Sequence, residues 1–411
     1  MSASASASAA PPGAANAPVP RGYRTWVALV QGLIVVGWAM YVLYLPGLLK
    51  SAGIDARLAI AILMLDQAIF AACDWAAGAY ADRLTGSARR LGPAVTAVAL
   101  VSSAAMLALP TVARLASPAA LIATIVVWTA ASSALRAPVF ALLGRVSGIA
   151  NKSGPVGMAF VGLSIASALT PLVTTALAGL DPALPLGIGA IALAAAALFA
   201  TRIESRFPAP GVATGEATPA SATRWVALVV LLAAIGMQVQ TAILSKPAYV
   251  RLAGPDANLW LPTFWIGFAF ALPLAVRVAR GATPLAHASI AILVGAAMLA
   301  VASRAPSLAV LVATQLVAGG AWGVLTTVLV SAALALGGAS GTGTAAGMVF
   351  AALAMAALVR LGLVAAGIAP APIVAWLPVV AWVAAGALLV ARARTTDALL
   401  AVSDVRAIRA G

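Results

Sequence analysis

Gly78-Ala-Tyr-Ala-Asp82-Arg83-Leu-Thr-Gly86-Ser-Ala-Arg89-Arg90 is the stretch on which the fold turns. It is a short charged loop between two long apolar runs, and the densest cluster of charge in the chain. Asp82 leaves the end of one run, and Arg83, Arg89 and Arg90 follow within eight residues. Basic residues just beyond a membrane span hold that end in the cytoplasm. Gly78 has no side chain, so a neighbouring helix can approach closely there.

Composition places these runs in a bilayer. Of the 411 residues 63% are hydrophobic and 8% charged, with a mean hydropathy of +1.08; a soluble domain carries about 25% charged residues. Runs of about 20 apolar residues need a lipid surrounding. Ten Trp and 36 Gly fit this setting, because Trp marks interfaces and Gly marks tight helix packing. Cys73 is the sole cysteine and His287 the sole histidine. That excludes an internal disulfide, a metal cluster and the grouped side chains of a membrane-embedded enzyme, so no cofactor, metal or catalytic residue is expected. The net charge of +14 is spread over loops and tails, which fits membrane orientation better than nucleic-acid binding. No Gly-x-x-x-x-Gly-Lys-Ser/Thr loop points to ATP as the energy source.

Residues 1–23 are Ser/Ala/Pro low complexity and read as a disordered tail, with no signal-peptide pattern before Trp26. Twelve spans follow, at roughly 24–45, 58–81, 92–112, 119–143, 156–178, 184–200, 224–246, 259–279, 284–303, 307–336, 343–368 and 371–391. They divide into an N-terminal bundle (24–200), a Pro/Ala/Gly/Thr linker (201–223), a C-terminal bundle (224–392) and a polar tail (393–411). The tail includes a weakly amphipathic stretch, Ala398 to Ile408, that suits a membrane surface. Twelve crossings put both termini on one side. The segments on that side carry sixteen Lys and Arg against six on the other, so both termini are expected in the cytoplasm. Trp26-Val-Ala-Leu-Val30 recurs unchanged as Trp225-Val-Ala-Leu-Val229, each opening the first span of its half, and the same offset brings Gly37 onto Gly236.

The charged loop, in its place between the second and third spans, resembles the signature of the major facilitator superfamily. The resemblance implies an all-α membrane protein of twelve transmembrane helices in two six-helix pseudo-repeats. It implies a monomeric secondary active transporter of the plasma membrane (the inner membrane in a bacterium) that moves a small organic solute by alternating access. It also implies that Asp82 faces the start of the eleventh helix, near Gly341-Thr342-Gly343-Thr344, whose N–H groups and positive dipole end suit an anion. The second half lacks its own copy of the signature, since Arg277-Val-Ala-Arg280-Gly281 holds no acid.

In that family spans 1, 4, 7 and 10 line the substrate pathway. Here they carry Trp38, Tyr41, Trp128, Ser132, Gln238, Thr241, Gln315 and Trp322. Aromatic faces with a few amides and hydroxyls suit a neutral or amphipathic solute, and would also accept an organic cation. Gly157 and Pro171 fit the pattern of proton-driven exporters on span 5, whereas Ala166 and Thr170 depart from it. The direction of transport and the coupling to protons stay open, and a lipid flippase or a transport-derived sensor is the alternative on the same fold.

Four charges fall well within spans: Asp66 and Asp74 on the second, Arg136 on the fourth and Arg360 on the eleventh. Each costs about 2.5–3.5 kcal/mol at mid-membrane unless partnered. Depth pairs Asp74 with Arg136 inside the first half. It also sets Asp66 opposite Arg360, as an outer gate closed when the carrier opens inward. The competing readings are that Asp66 or Arg360 finds a partner within its own half, and that Asp66 or Asp74 carries a proton.

Overall fold

The computed structural model describes residues 19–85, 90–146, 148–207 and 220–409, with the backbone alone for residues 220, 339 and 402–409. Gly86 and Arg89 of the signature loop, most of the expected tail and the centre of the expected linker lie outside the described residues. The main helices are α1 (Tyr23–Ser51), α2 (Ala59–Thr85), α3 (Leu91–Arg114), α4 (Pro118–Ser133), α5 (Ile149–Leu177) and α6 (Ala183–Leu198). Those of the second half are α7 (Ala220–Val239), α8 (Thr263–Ala279), α9 (Pro284–Ala302), α10 (Leu308–Leu336), α11 (Gly338–Ala365) and α12 (Leu377–Arg409). Among the described residues, eleven helical segments are long and apolar enough to cross a membrane, and α8 is a shorter apolar helix of 17 residues. Helices satisfy their own backbone groups, which lipid cannot do for them.

Local signals repeat between the halves. Ser117 before α4 and Ser307 before α10 each accept a hydrogen bond from the backbone N–H three residues on, at 3.4 Å, as N-caps do. The start of α3 is held by Glu204, whose carboxylate accepts from Leu91 N at 3.3 Å and Gly92 N at 2.6 Å. The start of α9 is held in the same way by Asp397, which accepts from Leu285 N at 3.1 Å and Ala286 N at 3.4 Å. Both acids place negative charge at the positive end of a helix.

Three expected boundaries move as a result. The sixth span continues through a short helix, Ala200–Glu204, into the stretch assigned to the linker. The twelfth continues through Asp397 as one helix to Arg409, so the expected tail is an extension of α12. Tyr23, placed at the end of the expected tail, is wholly buried and donates its hydroxyl proton to Val139 O at 2.6 Å. In each case a partner in another helix fixes a segment whose composition alone reads as loop or tail.

The halves meet along two seams, α2 against α11 and α5 against α8. The first is closed by glycine. A Cβ on Gly78 would overlap the carbonyl of Gly343, and one on Gly347 would overlap that of Asp74. Small residues at such contacts allow backbones to touch where lipid gives no hydrophobic drive to association.

Candidate functional site

Between the halves lies a cavity of about 330 Å3, at the small end of the roughly 300–1,000 Å3 typical of small-molecule sites. Its wall is drawn from both halves. Trp38, Trp128 and Trp322 supply aromatic faces, together with Phe70, Phe160, Phe268 and Phe350. Trp38 and Trp128 stack nearly parallel, 6.1 Å apart and 6° from coplanar. Polar atoms come from Gln31, Gln67, Ser102, Ser132 and Gln238, and charge from Arg136 and Arg360.

The halves are latched to one another at the end bearing Asp82. One Asp82 carboxylate oxygen accepts from Gly343 N at 2.6 Å, and the other accepts from Thr344 N and Thr344 Oγ1, both at 2.7 Å. Lys152 Nζ donates to Leu334 O at 2.7 Å, and Arg280 Nε to Ser153 Oγ at 3.3 Å. Among the described residues, the hydrogen bonds that cross between the halves cluster at this end. The helix that receives Asp82 starts at Gly338, where φ is +61°, five residues before the expected 343. A left-handed residue costs glycine little, and it turns the chain directly from α10 into α11.

Asp74 and Arg136 form an ion pair. Arg136 Nε donates to Asp74 Oδ1 at 3.1 Å and Nη2 binds Oδ2, while Ser133 Oγ donates to Oδ1 at 2.9 Å. The guanidinium also lies 4.5 Å from the Phe70 ring centre and 5.7 Å from that of Phe350, so it contacts both halves. Its position follows from a break in the fourth span. Helix stops at Ser133 and resumes at Pro138–Ala141, then tightens to a 3₁₀ turn at Leu142–Arg145. Pro138 lacks an N–H and disfavours helix in the residue before it.

Asp66 does not meet Arg360 in this structure. Tyr41 Oη donates to Asp66 Oδ2 at 2.8 Å and Thr129 Oγ1 to Oδ1 at 2.7 Å, so the carboxylate is held within its own half. Tyr41 is thereby turned away from the cavity and is wholly buried. Thr241 sits in a π-helical turn (Gln240–Leu244) and donates to Met237 O at 2.9 Å, off the cavity wall. Gln315 is wholly buried, also off the wall, and neither its amide oxygen nor its nitrogen has a partner among the described residues. Trp38, Trp128, Ser132, Gln238 and Trp322 do line the cavity. Gln31, Gln67 and Ser102 were missed. Gln31 and Gln67 are polar residues inside apolar spans, which is the signal that could have found them.

No family model matches the chain, and no curated protein does. Solved structures do match. The human organic anion transporter MFSD10 (TETRAN) superposes with a TM-score of 0.70 at 17% identity, over 90% of this chain and 100% of that one. A bacterial homologue of the iron transporter ferroportin in its outward-facing state superposes with a TM-score of 0.69 at 12% identity, over 90% and 98%. A structure of a bacterial ferroportin homologue in its outward-facing state with soaked iron gives a TM-score of 0.66 at 13% identity over the same shares. The chain therefore has the major facilitator fold, a multi-pass architecture of membrane transporters.

Proposed function

We propose that this protein is a secondary active carrier that moves a small organic solute by alternating access. Its halves would tilt about the α2–α11 and α5–α8 seams and open the cavity to one side at a time. The observation that carries this reading is the one-sided latch: a cavity between two bundles whose hydrogen bonds to one another, among the described residues, cluster at Asp82. The excess of Lys and Arg on the Asp82 side supports a cytoplasmic location for that end and for both termini, in a plasma membrane. On that orientation the conformer is outward-facing, the state named for the ferroportin homologue. In this state the Asp66–Arg360 gate would be parted, and it would close on the inward swing. For proton coupling Asp66 is the stronger candidate: two neutral hydroxyls hold it, whereas Asp74 is committed to Arg136.

Alternating access is tested without knowing the solute. In a Cys73→Ser background, spin labels at Arg83 and Ser340 report the latched end, and labels at Arg57 and Ala366 report the other. Both distance distributions should show two populations. Conditions that widen one pair should narrow the other. Ends that move together, or a single rigid population at both, would refute the mechanism. Flux of a solute identified by thermal shift, with and without an imposed pH gradient and in Asp66→Asn, then decides coupling.

A further inference from the structure

Arg360 is the charge in the cavity wall that nothing answers. Its Nε is buried without a hydrogen-bond partner, and no carboxylate among the described residues forms an ion pair with it. The other cation of the wall, Arg136, is neutralised by Asp74. Asp66 has both oxygens occupied by Tyr41 and Thr129 and does not line the cavity. The wall thus presents one uncompensated positive charge and no acid. A guanidinium drawn from water with no counter-charge is unfavourable, and a bound anion relieves that cost. The planar fork of arginine matches a carboxylate in two parallel hydrogen bonds. Gln31 and Ser102, also on the wall, carry a buried Nε2 and Oγ that lack partners among the described residues. The aromatic faces of Trp38, Trp128 and Trp322 would take a flat apolar body.

We infer that the solute is an aromatic organic anion. Its carboxylate-type head pairs with Arg360 and its ring stacks against the tryptophans, while Asp74 keeps Arg136 from competing for the charge. This keeps the amphipathic class expected from the sequence and departs from the neutral one, and it rests on the carrier reading only for the claim that the bound anion is also moved.

Binding to the purified protein is measured by tryptophan quenching and by thermal shift with three probes of one shape: 2-naphthoate, 2-naphthamide and 2-naphthylmethylammonium. Naphthoate should bind at least tenfold more tightly than either of the others. Arg360→Gln, which removes a half-buried charge with no ion-pair partner among the described residues, should fold and lose that preference. Arg360→Lys should keep the preference with several-fold weaker binding, because an ammonium offers no fork. The inference is overturned by amide or ammonium binding as tightly as naphthoate, or by none of the three binding. It is equally overturned by a preference unchanged in Arg360→Gln or, should that variant not fold, by an affinity unchanged in Arg360→Lys. Reciprocal motion of the two ends without naphthoate binding would remove the anion and leave the carrier. Naphthoate binding without that motion would do the reverse.

Discussion

The helix pairs α2–α4 and α8–α10 occupy equivalent places in the two halves and are joined in opposite ways. Between α2 and α4 the contact is polar: Asp66 to Thr129, and Asp74 to Ser133 and to Arg136 in the break just beyond α4. Between α8 and α10 it is backbone on backbone. A Cβ on Gly267 would overlap the carbonyl of Leu316, one on Gly319 that of Phe264, and one on Gly323 would come within 2.9 Å of Phe268 O. One architecture thus tolerates two chemistries at one joint. Asp66 and Asp74 hold this joint together in the first half, and the equivalent joint in the second, closed by glycine, carries no such charges. That division leaves Arg360 as the cavity-wall charge free to meet a solute.

The largest effect should come from breaking the polar joint. Asp74→Ala strands Arg136 beside two aromatic rings, and removing one partner of a buried pair costs about 3–5 kcal/mol. Thermal unfolding in detergent should show a clear drop. The double variant Asp74→Asn/Arg136→Met, which removes both charges, should recover most of it. A single variant as stable as the parent would mean that the pair holds nothing. The glycine joint should respond next. Gly319→Ala sets a methyl against the Phe264 carbonyl, and such overpacking costs roughly 1–3 kcal/mol. Unfolding midpoints check this, and an unchanged midpoint would show that α8 and α10 can separate freely. The smallest effect is expected for Thr129→Val, which removes one of two hydroxyls on Asp66 and keeps the volume, at about 1 kcal/mol. A loss rivalling that of Asp74→Ala would make Asp66, not Asp74, the anchor of the first half.

Much of this fold is legible in the sequence. Spans are set by length and hydropathy, and bilayer thickness fixes both. The docking of Asp82 at the start of α11 is readable because the resemblance of its loop to a known signature implies that facing. Facing was harder. A helix that is apolar all round carries no periodic stripe to show which side looks inward. Tyr41, three residues from Trp38, was therefore expected on the cavity and instead serves Asp66. Arg360 stands out along the chain by its depth, but its isolation is a property of what surrounds it. The ends of the bundles were misjudged for a related reason. Glu204 and Asp397 sit in polar stretches that look like linker and tail, and only the distant N–H groups of α3 and α9 explain why helix persists there.

Those two carboxylates have a mechanical meaning. Each straps the last helical stretch of its bundle to the third helix, so either six-helix unit is belted from within. Each unit is thus held by contacts of its own, and two separately produced bundles should each stay folded, which co-expression and co-purification would check.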